Sequence, residues 1–222
     1  MLKSKDTLGD RMKQFYEDAY RVNLPMRLPI IIRCDGKVFS NYTKSLKKPI
    51  DLTLENALNQ VAISLCKEIQ GAKIAYSYSD EISILINNYS SINSQAWVNN
   101  NIQKMVSIAA GVASSVMTEE SIKIFGKIKK AVFDARAFIL PKEEVNNYFI
   151  FRQTDACRNS VSALARSLYS HKECTNKNNS ELQELCFKKG INWNDCPIPQ
   201  KRGRCIIKVQ TEKIGFNPKT KE

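Results

Sequence analysis

The sequence predicts an α+β fold, a ferredoxin-like βαββαβ core followed by a C-terminal helical appendage, and three observations lead there. The apolar period switches between two and three-to-four residues in the order strand, helix, strand, strand, helix, strand. Glycine and proline sit at the joints of that pattern, at Pro25, Pro29, Gly36, Gly71 and Pro141. The 222 residues, 43% hydrophobic and 25% charged, are enough for a buried core and show no compositional break that marks an independent second domain. The expected organisation is a core with its N-terminal helix over 1–140, an appendage and final strand packed on it over 141–209, and a flexible tail over 210–222.

Leu8, Met12, Phe15, Tyr16 and Ala19 recur at three and four, so Thr7 to Tyr20 reads as an amphipathic helix. Pro25 and Pro29 exclude a helix next, and Leu28 with the β-branched run Ile30 to Ile32 reads as a buried strand ending at Asp35-Gly36. Leu54, Ala57, Leu58, Val61, Ala62, Leu65 and Ile69 mark a second helix that Gly71 stops. AKIAYSYSDEISILINN has apolar flanks around a short polar centre, which reads as a hairpin carrying Asp80 and Glu81 at its turn. The small-residue pattern from about Ala96 to Met117 predicts a helix that approaches the sheet closely. Lys130 to Leu140 is the last core strand, ended by Pro141. Beyond it RQTDACRNSVSALARSLYS reads as a helix, Ser180 to Lys189 as another stopped by Gly190, and RGRCIIKV as a short strand. HKECTNKNNS between those helices is polar enough to predict a mobile loop.

Charge narrows the partners. Lys and Arg number 34 against 22 Asp and Glu, leaving +12, which draws an extended anion such as a nucleic acid. No apolar run reaches membrane-span length and the opening residues lack the apolar core of a signal peptide, so a cytoplasmic protein with no membrane partner is expected. The seven cysteines are scattered without a CxxC pair and are expected to be reduced thiols. His171 and Cys174 lack a second ligand pair for zinc.

Asp35 at a strand end and Asp80 at a hairpin turn are brought by this topology to one sheet edge. Paired acids there are costly unless cations bridge them, and hard ions such as Mg²⁺ suit two carboxylates plus phosphate oxygens. Two such ions would lower the charge on an attacking hydroxyl and on a leaving pyrophosphate. Gly36, without a side chain, lets its carbonyl and the following amides of Lys37, Val38, Phe39 and Ser40 approach a triphosphate. Lys104, on the small-residue helix, is placed as a point charge toward the same phosphates. Neighbours on extended backbone point opposite ways, so Asp80 is assigned as ligand; Glu81 either supports the site or reaches it through the turn as a further catalytic acid. Lys201, Arg202 and Arg204, with Lys188 and Lys189, form a basic cluster for phosphate tracking or a solvated strand edge. Trp97 and Trp193 are either base-stacking or core residues.

Four ordered segments, IIRCDGKVFS, YSYSDEISILI, KAVFDARAFILP and FRQTDACRNS, are similar to the tRNA-His guanylyltransferase superfamily, and the resemblance runs to about Val209. It implies a polymerase-palm core. It also implies addition of nucleotides in the 3′-to-5′ direction to the 5′ end of tRNA, after activation of a 5′-monophosphate with ATP. By motif, Asp35, Asp80 and the Gly36 carbonyl would hold two Mg²⁺ ions, and Asp35 to Ser40 with Ser79 would contact ATP, GTP or another nucleoside triphosphate. KMVSIAAGVASS resembles a family helix with a phosphate-binding lysine, here Lys104. The eukaryotic enzymes that add one G to tRNA-His carry a HINNLYN-type motif where this chain reads CRNSVSA. RQTDACRNS instead resembles the guanylyltransferase-like branch associated with templated rebuilding of truncated tRNA 5′ ends. Arg152, Asp155, Arg158 and Asn159 then become candidates for binding RNA or its 5′ phosphate, against an ion-paired helix start. The resemblance further implies a homotetramer, a dimer of dimers. Untemplated G addition to tRNA-His, a palm-fold nucleotide cyclase and a non-catalytic RNA-binding protein are the competing expectations; the +12 charge weighs against the cyclase.

Overall fold

The computed structural model describes residues 7–209 and Gly215; the tail expected from 210 onward otherwise lies outside the described residues. In chain order the elements are α1 (Leu8–Met12), β1 (Ile30–Gly36), α2 (Phe39–Tyr42), α3 (Leu52–Glu68), β2 (Ala72–Tyr78), β3 (Glu81–Ile86) and α4 (Ile102–Phe125). β4 (Phe133–Ile139), α5 (Glu144–Leu168), α6 (His171–Cys174), α7 (Asn179–Lys188), α8 (Ile198–Arg202) and β5 (Arg204–Ile207) complete the chain. The sheet is antiparallel in the order β4-β1-β3-β2-β5, so its first four strands have the ferredoxin-like arrangement and β5 extends the β2 edge.

One face of the sheet carries the core. Ile30, Ile32 and Cys34 of β1 and Ile82, Ile84 and Ile86 of β3 meet Val61, Leu65, Met105 and Ala109 of α3 and α4, all buried. Each fully buried Ile or Leu stabilises the fold by about 1.5–3 kcal/mol. Asp51 caps α3 by accepting from the amides of Thr53 and Leu54. The opposite face shows Arg33 and Asp35 of β1 and Glu81 and Ser83 of β3, and α5 crosses it, with Tyr148 of α5 edge-on to Phe138 at 5.7 Å and bonded to Ser83 at 2.9 Å. A second apolar cluster, built on Val161, Leu164, Ala165, Leu182 and Cys186, joins the far half of α5 to α6 and α7.

Several expectations need correction. The N-terminal segment is helical over 8–20, but it passes from α through a π turn to a 3-10 turn and buries no residue. Its apolar stripe meets no core among the described residues: Leu8, Phe15 and Tyr16 are exposed. The small-residue helix begins at Ile102 rather than Ala96, because Val98, Asn99 and Asn100 take left-handed backbone angles and Asn101 caps the amide of Lys104. It runs on to Phe125, where Gly126 (φ 69°) closes it. The helix expected at Arg152 starts two turns earlier, at Glu144. The expected loop over 171–180 contains α6, and capping boxes at Ser170/Glu173 and Asn178/Glu181 fix α6 and the start of α7. α8 was not anticipated; with it the chain turns back so that β5 pairs with β2. Among the described residues no helix is long and apolar enough to cross a membrane.

Candidate active site

Asp35 stands near the end of central strand β1, opposite Glu81 on β3 and Asp134 on β4. Asp80 arrives from the β2–β3 turn, which Ser79 makes with a φ of 52° while its hydroxyl donates to Asp80 Oδ1 at 2.9 Å. That left-handed residue breaks strand alternation, so Asp80 and Glu81 are not held to opposite sides of an extended strand. Glu81 is the direct strand partner of Asp35, and Asp80 packs against Gly36, where an added Cβ would meet the Asp80 Cβ at 2.9 Å. Burial, followed by the Asp35 charge, pushes the Asp80 carboxyl above its usual range, against the pull of the Ser79 hydroxyl. Burial likewise raises Glu81, although Arg152 and Arg33 beside it pull the other way.

The acids open into a cavity of about 730 Å³. Its floor is Asp35, Gly36, Ser79, Asp80 and Glu81, one wall is Phe39, Ser40, Leu46, Leu54 and Leu58, and the other is α5 with Trp193, Lys201 and Arg204. The volume and the mix of apolar wall with a few convergent polar groups suit a nucleotide-sized ligand. Of the expected site residues, Arg152, Asp155, Asn159, Lys201 and Arg204 line it together with the acids.

Others are placed elsewhere. Lys104 lines a separate open cleft with Tyr16, Tyr20 and Arg21. Ser114 accepts from the amide of Phe133, the strand partner of Gly36, so Lys104, ten residues back along α4, lies about 15 Å toward the opposite end of the sheet. The Lys37 amide is spent on Val132 O at 2.8 Å, and the side chains of Lys37 and Val38 are exposed and outside the cavity lining. Of the amides expected as donors, those of Phe39 and Ser40 lie in the first turn of α2, and both residues line the cavity. Arg158, Arg202, Lys188 and Lys189 are exposed and do not line the cavity. Arg204 forms a 2.7 Å ion pair with Glu55. Trp97 is a core residue, and Trp193 donates to Ser160 at 3.0 Å in the appendage with Lys201 over its ring.

Sequence reasoning missed Arg33, Lys47, Lys48 and Arg166. A charge inside the apolar run of β1 was the signal for Arg33, whose Nε lies 3.9 Å from Glu81. Lys47 and Lys48 line the cavity from the loop that Asp51 closes, and Arg166 follows Arg152, Asp155 and Asn159 at helical spacing along α5.

The donor set fits a hard cation. Asp35 and Asp80 are neighbouring carboxylates without a basic partner among the described residues, and Gly36 leaves space at their base that a Cβ would fill. Among the described residues no group of three or more His, Cys, Asp or Glu side chains could hold a metal, so such an ion would take its other ligands from water and substrate.

Comparison with known proteins identifies relatives of the chain. The sequence model described as "Thg1: tRNAHis guanylyltransferase" matches residues 9–141. A bacterial tRNA(His) guanylyltransferase (Thg1)-like protein solved in complex with ATP is 46% identical, covers 92% of this chain and 88% of its own, and superposes with a TM-score of 0.88. A complex of such a bacterial protein with GTP is 44% identical over 94% of this chain and 87% of its own, at a TM-score of 0.80. An Arabidopsis thaliana tRNA(His) guanylyltransferase 1 is 24% identical over 94% of this chain, which spans only 39% of that protein's length. The chain therefore belongs to the tRNAHis guanylyltransferase (Thg1) family of nucleotidyltransferases.

Proposed function

We propose that this protein is a Mg²⁺-dependent 3′-to-5′ nucleotidyltransferase that rebuilds the 5′ end of truncated tRNA, choosing each nucleotide by pairing with a template. The observation that carries the reading is the convergence of Asp35 and Asp80 on the floor of a nucleotide-sized cavity lined by cationic side chains. The relatives solved with ATP and with GTP support triphosphates as ligands. CRNSVSA, in place of the HINNLYN-type motif, supports templated repair over G addition confined to tRNA-His. The exposed stripe of Leu8, Phe15 and Tyr16, left uncovered among the described residues, supports burial against a second copy and, in this reading, a homotetramer. Seven unpaired cysteines fit a reducing, cytoplasmic setting.

In this reading the 5′-monophosphate of the RNA attacks ATP, forming an adenylylated 5′ end and releasing pyrophosphate. The 3′-hydroxyl of an incoming nucleotide then attacks that 5′ phosphorus and AMP leaves; where the 5′ end is a triphosphate, pyrophosphate leaves instead. Asp35, Asp80 and the Gly36 carbonyl would hold Mg²⁺, which when bound stabilises charge on the attacking and leaving oxygens. Phe39, Leu46 and Leu54 supply apolar contact for the nucleotide. Lys47, Lys48 and Arg166 supply positive charge along the walls for phosphates.

Incubating a tRNA that lacks its first 5′ nucleotide with ATP and all four triphosphates, then sequencing the 5′ end, tests the proposal. The complementary nucleotide should be restored, and Asp35→Asn and Asp80→Asn should each lower the rate by on the order of 10²–10³ while remaining folded. Addition of G regardless of the opposing base would reject templating, and a fully active Asp80→Asn would reject the acid site.

A further inference from the structure

A buried ionic cluster lies behind the acid pair, on the sheet face that α5 crosses. Arg152 Nη2 donates to Glu81 Oε2 at 2.7 Å, and its Nε lies 2.7 Å from Oε1. The same Nη2 reaches Asp155 Oδ2 at 3.3 Å, one turn along α5. Arg33 closes on Glu81 from β1, and Ser83, which contacts Glu81 Oε1 at 3.4 Å, bonds Tyr148 of α5. The side chains of Arg152, Glu81 and Arg33 are 12%, 18% and 19% exposed, so water screens these contacts little.

The geometry points to Glu81 as a positioning residue: it fixes Arg152, and through Arg152 the cavity-facing side of α5, for binding a phosphate of the RNA end, and it is not a third metal ligand. Both carboxylate oxygens of Glu81 are engaged by guanidinium groups. A cation coordinated there would sit beside two positive charges and would strip Arg152 of its partner. Arg152, by contrast, keeps Nη1 without a partner among the described residues, and the residue lines the cavity. A planar guanidinium held by the Nη2 hydrogen bond and the close Nε–Oε1 ion pair, whose Nε makes no hydrogen bond itself, presents that remaining N–H pair in one direction, the arrangement needed to grip a phosphate. Tyr148, bonded to Ser83, and Asp155, paired with Arg152, flank Arg152 about one turn to either side, so this stretch of α5 docks on the sheet through polar contacts whose geometry is directional.

The inference rests on the RNA-modifying reading, and the test separates the two. Binding of a 5′-monophosphorylated tRNA is measured in EDTA for the intact protein, Glu81→Gln, Arg152→Gln and the double variant, and the Mg²⁺ dependence of nucleotide addition is measured on the same proteins. Each single change should weaken RNA binding about tenfold, the double variant should be no worse than either, and the half-saturating Mg²⁺ concentration of Glu81→Gln should stay at the parent value. Arg152→Lys should not restore binding, because an ammonium does not reproduce the fork. Additive losses of about a hundredfold in the double variant, or a Mg²⁺ requirement displaced tenfold by Glu81→Gln alone, would overturn the assignment. Circular dichroism checks the fold, and if Glu81→Gln does not fold, Glu81→Asp takes its place in the cycle. If the intact protein extends no RNA, the catalytic reading falls while the binding cycle in EDTA still decides the role of Glu81.

Discussion

Gly36→Ala is a sharp test of how closely the site is built into the core. A Cβ at Gly36 would stand 2.3 Å from Phe39 Cδ2, 2.7 Å from Phe39 Cγ and 2.9 Å from Asp80 Cβ. Carbon atoms pack at about 3.5–4.0 Å, so one neighbour must retreat by roughly 1 Å. Phe39 has nowhere to go: it is 5% exposed, stacked on Tyr42 at 4.7 Å and set against Phe133 at 5.1 Å. If the ring moves, overpacking costs about 1–3 kcal/mol. If Asp80 moves, a displacement of about 1 Å at the acid pair costs on the order of 10² in rate. Urea unfolding and single-turnover nucleotide addition read the two consequences separately. Gly111→Ala on α4 is the control, since a Cβ there meets nothing within 4 Å, and it should stabilise by about 0.5–1 kcal/mol. A Gly36→Ala protein within about 0.5 kcal/mol of the parent and within about threefold of its rate would refute the reasoning.

Three further outcomes follow from the geometry. Arg204→Ala, which leaves the half-buried Glu55 without its 2.7 Å partner, should cost about 1–3 kcal/mol in urea unfolding, whereas the exposed Arg202→Ala should change stability by less than about 0.5 kcal/mol; equal effects would sink the structural assignment of Arg204. Cys34, whose thiol is pushed up to about 12 first by burial and then by Asp134 and Asp35, has about one thiolate in ten thousand at pH 8. Iodoacetamide followed by peptide mass mapping should therefore leave it unlabelled in the native protein, and labelling at the rate of the exposed Cys205 would contradict the burial. Replacing Leu8 and Phe15 by Ser should leave unfolding within about 0.5 kcal/mol of the parent while lowering the mass seen in light scattering; an unchanged mass would remove the N-terminal stripe from the assembly.

The core strands were legible because runs such as Ile30 to Ile32 satisfy both the period and the burial that a central strand needs. The acid pair was legible for the same reason: strand ends and hairpin turns are marked by Gly36 and by the polar centre around Asp80. What sequence did not show was direction. Lys104 was correctly put on the small-residue helix, but periodicity does not say which end of a helix lies near which end of a sheet, and Lys104 is at the far one. The start of that helix was misplaced because Trp97 falls in helical register with it while left-handed Val98 to Asn100 separate them. The segment over 171–180 was passed over on polarity, although Ser170-x-x-Glu173 and Asn178-x-x-Glu181 are both capping boxes.

The fold also explains how four acids, Asp35, Asp80, Glu81 and Asp134, share one sheet edge. Like charges at this distance raise one another, and burial raises them further, as it does Asp80 and Glu81. The chain answers that repulsion unequally. Glu81 has Arg152 and Arg33, and Asp134 has Arg136 at 3.7 Å, so each of these is balanced by the protein itself. Among the described residues Asp80 has the Ser79 hydroxyl and its own backbone amide but no ion pair, and Asp35 has no ion pair. The negative charge that the protein leaves uncompensated is thus confined to the two side chains flanking Gly36, and it is there, rather than across all four acids, that a divalent cation relieves the greatest electrostatic cost.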